Sequence, residues 1–307
     1  MRLEVKDITK SFGEKEVLKG ISFAVESGEA LGLLGRNGAG KTTTIRIIMQ
    51  LFLQNSGEVL LDGKPIDIRQ VNIGYMPEER GLYPKKKVLE QLVYFAELKG
   101  VSKADATARA DKLLTRLGML EYKGVKLETL SKGNQQKIQL VATLMCDPDI
   151  VILDEPFSGL DPVNAILLKD VVRECIAEGK IVIFSSHQMN YIEEFCNHIV
   201  IINDGQIAVS GTITEIKHSY TQNKASVFTE AKEDVAGLKR VLEGFDFVTE
   251  IDEITDENVA GVVVSLGDVG IEKLMKELAG ANLALRGVTA YEPSLAEIFV
   301  DYTEADS

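Results

Sequence analysis

A glycine-rich segment near the N-terminus has the residues of a loop that holds phosphate. Residues 35–42 read Gly-Arg-Asn-Gly-Ala-Gly-Lys-Thr and match the pattern GxxxxGK[ST] at every fixed position. A glycine turn lets several backbone N–H groups point at one anion, and Lys41 adds a positive charge for the β- and γ-phosphates. The Thr42 hydroxyl can ligate Mg²⁺. The predicted contacts with a nucleotide are Gly35, Arg36, Asn37, Gly38, Ala39, Gly40, Lys41, Thr42 and Thr43.

Two adjacent carboxylates follow an apolar run later in the chain. Residues 150–153 are Ile-Val-Ile-Leu, and Asp154 and Glu155 come directly after them. Ligands bind at the carboxyl ends of strands in open α/β sheets, where Asp154 can hold Mg²⁺ through water. Glu155 is placed to accept a proton from an attacking water. Because the sequence contains no Asn-Lys-x-Asp guanine-reading motif, the combination favours hydrolysis of ATP over GTP.

The segments around these motifs alternate between strand and helix. Residues 30–34 have the pattern of a buried strand, and residues 41–51 have helical spacing. Strand–helix–strand repetition predicts a mostly parallel sheet with helical crossovers. After Pro148 the predicted order is strand 150–154, helix 162–177, strand 180–185, helix 188–197 and strand 198–203.

Two domains are predicted from these patterns. Residues 1–220 form an α/β domain in which residues 3–8 and 21–25 alternate as antiparallel strands. Residues 86–146 have a helical pattern and form a helical subdomain within it. A polar stretch at 219–224 predicts a linker, and residues 224–307 predict a small α+β domain of order βαββαβ followed by a short helix.

Charge and composition exclude several classes of protein. The 307 residues include 34 Lys and Arg and 47 Asp and Glu, for a formal net charge of −13. Most of the acidic excess lies beyond residue 220, which argues against a general nucleic-acid binder. No apolar run approaches the roughly 18 residues that span a bilayer, and no leader pattern is present. Three cysteines without paired spacing predict reduced thiols in the cytosol and no zinc site.

Further motifs, in their order along the chain, make residues 1–218 resemble the ATP-binding-cassette (ABC) ATPases. Residues 130–136, Leu-Ser-Lys-Gly-Asn-Gln-Gln, look like the family's LSGGQ signature at the start of a helix. Residues 158–161, Ser-Gly-Leu-Asp, match its D-loop, and residues 73–78 resemble the segment that ends in the Q-loop glutamine. His187 matches the switch histidine, and Phe12 stands where an aromatic side chain stacks on adenine.

This resemblance implies a mechanism that needs two chains. In the family, the signature helix serves the nucleotide held by the opposite protomer, which here implies contacts from Ser131, Gly133 and Asn134. Asp161 then links the two sites across the dimer, and His187 senses the γ-phosphate by a hydrogen bond. The expected ligands are ATP and Mg²⁺, with Thr42, Asp154 and Glu78 around the metal and with Lys41, Glu155 and His187 as catalytic residues.

Two positions depart from the family pattern. Glu78 stands in place of the Q-loop glutamine, so a carboxylate adds negative charge near the γ-phosphate. Lys132 puts a charged side chain where the signature usually has glycine, and Asn134 replaces its glutamine. Both departures bear on turnover and coupling, and neither removes a group that hydrolysis requires.

Residues 75–83 resemble a bacterial exporter subgroup that includes sodium-efflux and drug-resistance ATPases, and residues 291–299 resemble the end of its accessory domain. The leading hypothesis is an ATP-hydrolysing exporter subunit on the inner face of the cell membrane. Its expected partners are a separate permease and either a second copy or another ATPase subunit, with no nucleic acid.

Two alternative hypotheses stay open at the level of the sequence. A soluble ABC ATPase acting on DNA or ribosomes usually carries a long coiled coil or two ATPase cores. The segment from Lys41 to Ser131 is too short for such a coiled coil, and the extra domain is acidic. In the second alternative, residues 224–307 make the chain chiefly a regulatory or dimer-holding module.

Overall fold

The structure, a computed structural model, divides the chain into two compact units. The first unit consists of Met1–Ile213 together with Phe299–Ser307, and the second consists of Thr214–Ile298. The predicted site residue His187 lies outside the described residues, as does Gly159 of the predicted D-loop. The described residues are 1–79, 81–158, 160–186, 188–221, 223–254, 259–281 and 283–304.

Strands and helices alternate through much of the first unit. The strands of the described residues are β1 (Arg2–Phe12), β2 (Lys15–Glu26), β3 (Ala30–Leu34), β4 (Ser56–Leu61), β5 (Lys64–Pro65), β6 (Ile73–Met76), β7 (Ile150–Asp154), β8 (Ile181–Ser185), β9 (His198–Asn203), β10 (Gln206–Thr212), β11 (Lys224–Thr229), β12 (Val248–Glu253), β13 (Gly261–Leu266) and β14 (Leu285–Ala290). The α-helices are α1 (Lys41–Ile48), α2 (Val88–Leu98), α3 (Lys103–Arg116), α4 (Lys132–Leu144), α5 (Pro162–Ala177), α6 (Met189–Phe195), α7 (Ile213–Thr221), α8 (Val235–Leu242), α9 (Ile271–Gly280) and α10 (Leu295–Glu304).

The main sheet of the first unit has six strands in the order β10-β9-β3-β8-β7-β6. Neighbouring strands run parallel, except that β10 pairs antiparallel with β9. β3, β7 and β8 are buried along their whole length, which accounts for their continuous apolar sequences. Ser185 pairs with both Leu33 and Asp154, so the carboxyl ends of these three strands lie side by side. The predicted mostly parallel sheet is confirmed.

A second, antiparallel sheet of the first unit has the order β2-β1-β4-β5. Its inward side chains share one apolar core with β3, β7, β8 and α1. Each large apolar side chain buried there contributes about 1.5–3 kcal/mol. Phe12 pairs with Lys15 at the tip of the β1–β2 hairpin. The antiparallel alternation predicted for these strands is confirmed.

The helical segment of the first unit consists of α2, α3 and α4. Ala96 of α2 and Ala106 and Ala110 of α3 are fully buried, and their small side chains allow the helices to pack closely. Ser102 caps α3 by accepting a hydrogen bond from the Asp105 N–H at 3.2 Å. No helix among the described residues is both long and apolar enough to cross a bilayer.

The second unit has its own sheet and its own core. The sheet is antiparallel, in the order β12-β13-β11-β14. Leu238 and Leu242 of α8 and Leu274 and Leu278 of α9 are buried in a core with side chains of the sheet. The predicted element order βαββαβ is confirmed.

The predicted linker at residues 219–224 is wrong. Helix α7 continues to Thr221 and β11 begins at Lys224, and Ile216 of α7 is only 4% exposed. The second unit begins at Thr214, whereas the sequence predicts a first domain ending at residue 220 and a second beginning at residue 224. Its end also differs from the prediction, because Phe299–Ser307 belong to the first unit.

Candidate active site

The phosphate loop connects β3 to α1, as the sequence predicts. Only glycine fits at position 35, because a Cβ there would lie 2.5 Å from the Ile202 carbonyl oxygen. Gly38 has a φ of +85°, a conformation that side chains of other residues disfavour. The Ala39 N–H donates to the Arg36 oxygen at 3.1 Å, so this N–H is used within the loop.

Lys41 begins α1 with its ammonium group turned back into the loop. Its Nζ donates to the carbonyl oxygen of Gly35 at 2.6 Å and to that of Arg36 at 3.3 Å. Burial lowers the pKa of Lys41, and the negative charges of Glu155, Asp154 and Glu78 oppose this effect. A cation and three carboxylates therefore act on one another at the mouth of the loop.

A cavity of about 690 Å³ brings most of the predicted residues together. Lys15, Val17 and Phe299 also line it, and the sequence did not predict them. Ala39 is buried and is not one of the described residues that line the cavity. The predicted residues on its wall are Phe12, Gly35, Arg36, Asn37, Gly38, Gly40, Lys41, Thr42, Thr43, Glu78, Asp154 and Glu155.

Asp154 ends β7 and is 5% exposed. The Tyr75 hydroxyl of the neighbouring strand β6 lies 3.5 Å from Asp154 Oδ2. Burial, together with the negative charge of Asp154, raises the pKa of Tyr75 to about 12. A tyrosine phenol is protonated at neutral pH, so it faces Asp154 as a donor. Sequence reasoning missed Tyr75, because its role depends on the pairing of β6 with β7.

Glu155 follows directly, with a φ of +50° and 8% exposure. Its backbone N–H donates to the Ser185 oxygen at 2.9 Å, which ties the turn to the end of β8. The Ser186 hydroxyl lies 3.2 Å from Glu155 Oε2 and accepts a hydrogen bond from the Gln188 N–H at 3.0 Å. Since a hydroxyl has one proton, that proton is directed to Glu155. Sequence reasoning missed Ser186, whose hydroxyl contacts the predicted base.

Phe12 presents an accessible aromatic face to the cavity. The ring is 46% exposed, and its edge contact with Phe52 has a centroid distance of 5.4 Å. Lys10 Nζ lies 5.0 Å from the centroid of the Phe12 ring. An exposed ring held from one side can stack on a planar base.

The signature residues lie apart from this cavity. Ser131 caps α4 by accepting a hydrogen bond from the Asn134 N–H at 3.3 Å. Asp161 caps α5 by accepting from the backbone and side-chain nitrogens of Asn164, at 3.0 and 2.6 Å. A Cβ on Gly133 would lie 3.2 Å from the Asn164 amide nitrogen, so glycine lets the two helix starts touch. None of these residues is among the described residues that line the cavity.

The same helix α4 also holds the loop that carries Glu78. Gln139 is 7% exposed, and its amide nitrogen donates to the Pro77 oxygen at 2.7 Å and to the Glu79 oxygen at 3.2 Å. These two bonds bracket Glu78 on both sides. A displacement of α4 would therefore move the loop that carries Glu78. The sequence offers only a weak signal of this contact, the polar residue Gln139 on a buried helix face.

The cavity fits the predicted ligands, ATP and Mg²⁺. Backbone groups of the loop, the Lys41 ammonium and the Phe12 ring suit a triphosphate and a base. No group of three or more His, Cys, Asp or Glu in the described part of the chain forms a metal site alone. Mg²⁺ usually binds one or two carboxylates together with substrate phosphates. Thr42, Asp154 and Glu78 suit that kind of site.

Comparisons with known proteins decide the family. The family described as "ABC transporter" matches residues 18–158, and "ATP-binding protein DrrA1-3-like, C-terminal domain" matches residues 211–303. The chain is 39% identical over 300 residues to the uncharacterized ABC transporter ATP-binding protein YhaQ of Bacillus subtilis, covering 97% of each chain. The chain belongs to the ABC transporter ATP-binding proteins.

Two further comparisons concern the core of this ABC ATPase. The chain is 35% identical over 213 residues to the Nod factor export ATP-binding protein I of Paraburkholderia xenovorans. The match covers 68% of this chain and 70% of the relative. A solved dimeric structure of a bacterial ABC transporter cassette superposes with a TM-score of 0.63, at 25% identity over 69% of this chain and 98% of that one. The predicted fold class, family and ATPase activity are confirmed. The roles of individual site residues stay predictions.

Proposed function

We propose that two copies of this ABC ATPase, or one copy and a related subunit, clasp two ATP molecules between them. Each nucleotide lies between the phosphate loop of one protomer and the start of α4 in the other. The observation that carries the proposal is the separation described above. Lys41 and the carboxylates share one cavity, and of the described residues that line it none is Ser131, Gly133 or Asp161. A complete site then needs two chains.

In this arrangement Glu155 is the general base. It accepts a proton from water while the water oxygen attacks the γ-phosphorus, and the bond from that phosphorus to the β,γ-bridging oxygen breaks. ADP leaves with the electron pair of that bond. Lys41 stabilises the charge on the phosphates, and Ser186 orients Glu155. Mg²⁺ held by Thr42, Asp154 and Glu78 would neutralise phosphate charge. His187 keeps its predicted role as the γ-phosphate sensor.

A groove of about 650 Å³ supports docking of a permease helix on the first unit. It is lined by the residues just after α1, the segment before β6 and the end of α2. Leu51 there is 59% exposed and Leu98 is 66% exposed. The strand β6 leads from this groove toward Glu78. A helix seated in the groove would therefore contact the segment that leads to the nucleotide cavity.

We infer export as the direction of transport, with the protein on the inner face of the cell membrane. The named relative acts in Nod factor export, and the C-terminal family match is of the DrrA type. The transported compound is a property of the permease, and no side chain of this ABC ATPase is assigned to it.

Mixed dimers test the two-chain site directly. Lys41→Ala removes the phosphate-loop cation, and Ser131→Asp keeps a good helix cap while placing a negative charge where the γ-phosphate would lie. Each variant alone should lose ATP hydrolysis. A mixture should regain activity, because a mixed dimer contains one site with intact Lys41 and Ser131. Failure of the mixture to exceed the sum of its components, with mixed dimers shown by tag capture, would contradict the proposal.

Substitutions in the groove test the permease contact. Leu51→Asp and Leu98→Asp should reduce the amount of integral-membrane protein that co-purifies with the tagged ABC ATPase from solubilised membranes. Leu120→Asp, at a side chain 40% exposed that does not line the groove, is the matched control. Unchanged co-purification of all three variants would exclude this groove as the docking site.

A further inference from the structure

The end of helix α10 belongs to the first unit, although it follows the second unit in the sequence. Residues Phe299–Ser307 group with Met1–Ile213. Thr303 is 4% exposed, and its hydroxyl donates to the oxygen of Phe299 at 2.8 Å, with the oxygen of Val300 at 3.3 Å. The last turn of the helix is therefore held internally where it packs on the first unit.

Two side chains of this segment reach the nucleotide cavity or its loop. The half-buried Phe299 lines the same cavity as Phe12 and Lys41. Glu304 Oε1 lies 2.7 Å from Arg36 Nη2, and Arg36 is the second residue of the phosphate loop. Both partners of this ion pair are about half exposed, so the pair alone contributes little stability. The ion pair instead has a positioning role, because it links the end of α10 to the phosphate loop.

We propose that Phe299 is a second aromatic contact for the nucleoside of ATP, in addition to Phe12, and that Glu304 holds it there through Arg36. This inference rests on the proposed nucleotide site. An aromatic ring gains from contact with a base or sugar and offers nothing to a phosphate. The segment therefore recognises the part that ATP and ADP share. The end of α10 then completes the nucleotide cavity of its own protomer.

Nucleotide titration of the full-length protein tests this assignment. Phe299→Ala should weaken the binding of both ATP and ADP roughly fivefold to thirtyfold, within the range that loss of one aromatic side chain stacked on a base produces. Val300→Ala, at a neighbouring side chain 43% exposed that does not line the cavity, is the matched control and should leave both affinities unchanged. Phe299→Leu keeps the apolar volume without the ring and should give an intermediate loss.

The outcomes separate this inference from the proposed function. Absence of ATP binding by the wild-type protein would overturn both. Binding by the wild type with equal affinities for Phe299→Ala and Val300→Ala would overturn the inference alone, as would tighter binding by Phe299→Ala, which would make the ring an obstruction. Glu304→Gln should weaken both nucleotides about twofold to fivefold, and a thermal unfolding curve without nucleotide confirms that each variant is folded.

Discussion

The phosphate loop and the start of α4 are both glycine-containing helix starts, yet different side chains surround them. The loop before α1 has no side-chain cap, and Lys41 together with Asp154 and Glu155 surrounds its cavity. Helix α4 is capped by its own Ser131, and the chain places Asp161 and Asn164 of α5 beside it. The groups predicted to be catalytic line the cavity beside the first helix start, within one chain. The second helix start, proposed to face the γ-phosphate, is not among the described residues that line that cavity.

Under the proposed two-chain site, this difference should separate nucleotide binding from ATP hydrolysis. If the two regions meet only across a dimer, a change in the phosphate loop should reduce nucleotide binding by a single chain. A change at α4 should reduce hydrolysis while leaving that binding intact. The carboxylate Glu155 belongs to the first region but should act only when the second region is in place.

The largest effect is expected for Glu155→Gln. Removing the proton acceptor without changing the shape of the side chain should lower ATP hydrolysis by about 10²–10⁴-fold. ATP binding should persist, because Lys41 and the loop are unchanged. Phosphate release and equilibrium nucleotide binding measure the two properties separately. Glu178→Gln, at a carboxylate that does not line the cavity, serves as the control. An unaltered rate for Glu155→Gln would remove this residue as the base.

Ser131→Asp should have the next largest effect, about 10²-fold on hydrolysis. Aspartate is a good N-cap, so α4 stays folded, but its charge opposes the γ-phosphate proposed to lie there. Binding of nucleotide to a single chain should change little. Ser102→Asp makes the same chemical change at the cap of α3 and should leave the rate unaltered. Equal rates for the two variants would mean that the start of α4 has no part in the site.

A smaller effect is expected for Ser186→Ala, about threefold to tenfold in kcat with little change in KM. The hydroxyl orients Glu155, and its loss leaves the carboxylate with less directional restraint. Ser185→Ala is a close control, since Ser185 is fully buried and its Oγ has no hydrogen-bond partner in the described structure. Ser186→Thr keeps the hydroxyl and should restore most of the rate. Equal losses in Ser185→Ala and Ser186→Ala would indicate packing rather than positioning.

Contiguous motifs account for the part of the site that the sequence predicted. Gly35 to Thr43 are covalent neighbours, so their shared role follows from one loop. Asp154 and Glu155 follow an apolar strand, and their position at the sheet edge follows from the topology of parallel sheets. The parallel core and the antiparallel hairpin could also be predicted, because burial of one or both faces of a strand leaves a pattern of apolar residues in the sequence.

Contacts between distant segments account for what was missed. Tyr75 meets Asp154 through strand register, and Gln139 meets the Glu78 loop through helix packing, neither of which leaves a local pattern. The wrong linker has a different cause. Its polar composition concealed the end of a helix that begins with the apolar residues Ile213 and Ile216 and continues to Thr221.

The smallest predicted effect concerns Glu78 and distinguishes charge from metal binding. Glu78→Gln removes a negative charge that acts on Lys41, so without Mg²⁺ it should tighten ATP binding about twofold to fivefold. That gain should shrink as salt is raised. With Mg²⁺ present the gain should disappear or reverse, because the carboxylate then faces a cation. Titrations with and without EDTA measure both cases. An equal gain under both conditions would show that Glu78 acts only through its charge on the phosphates and would remove it from the metal site.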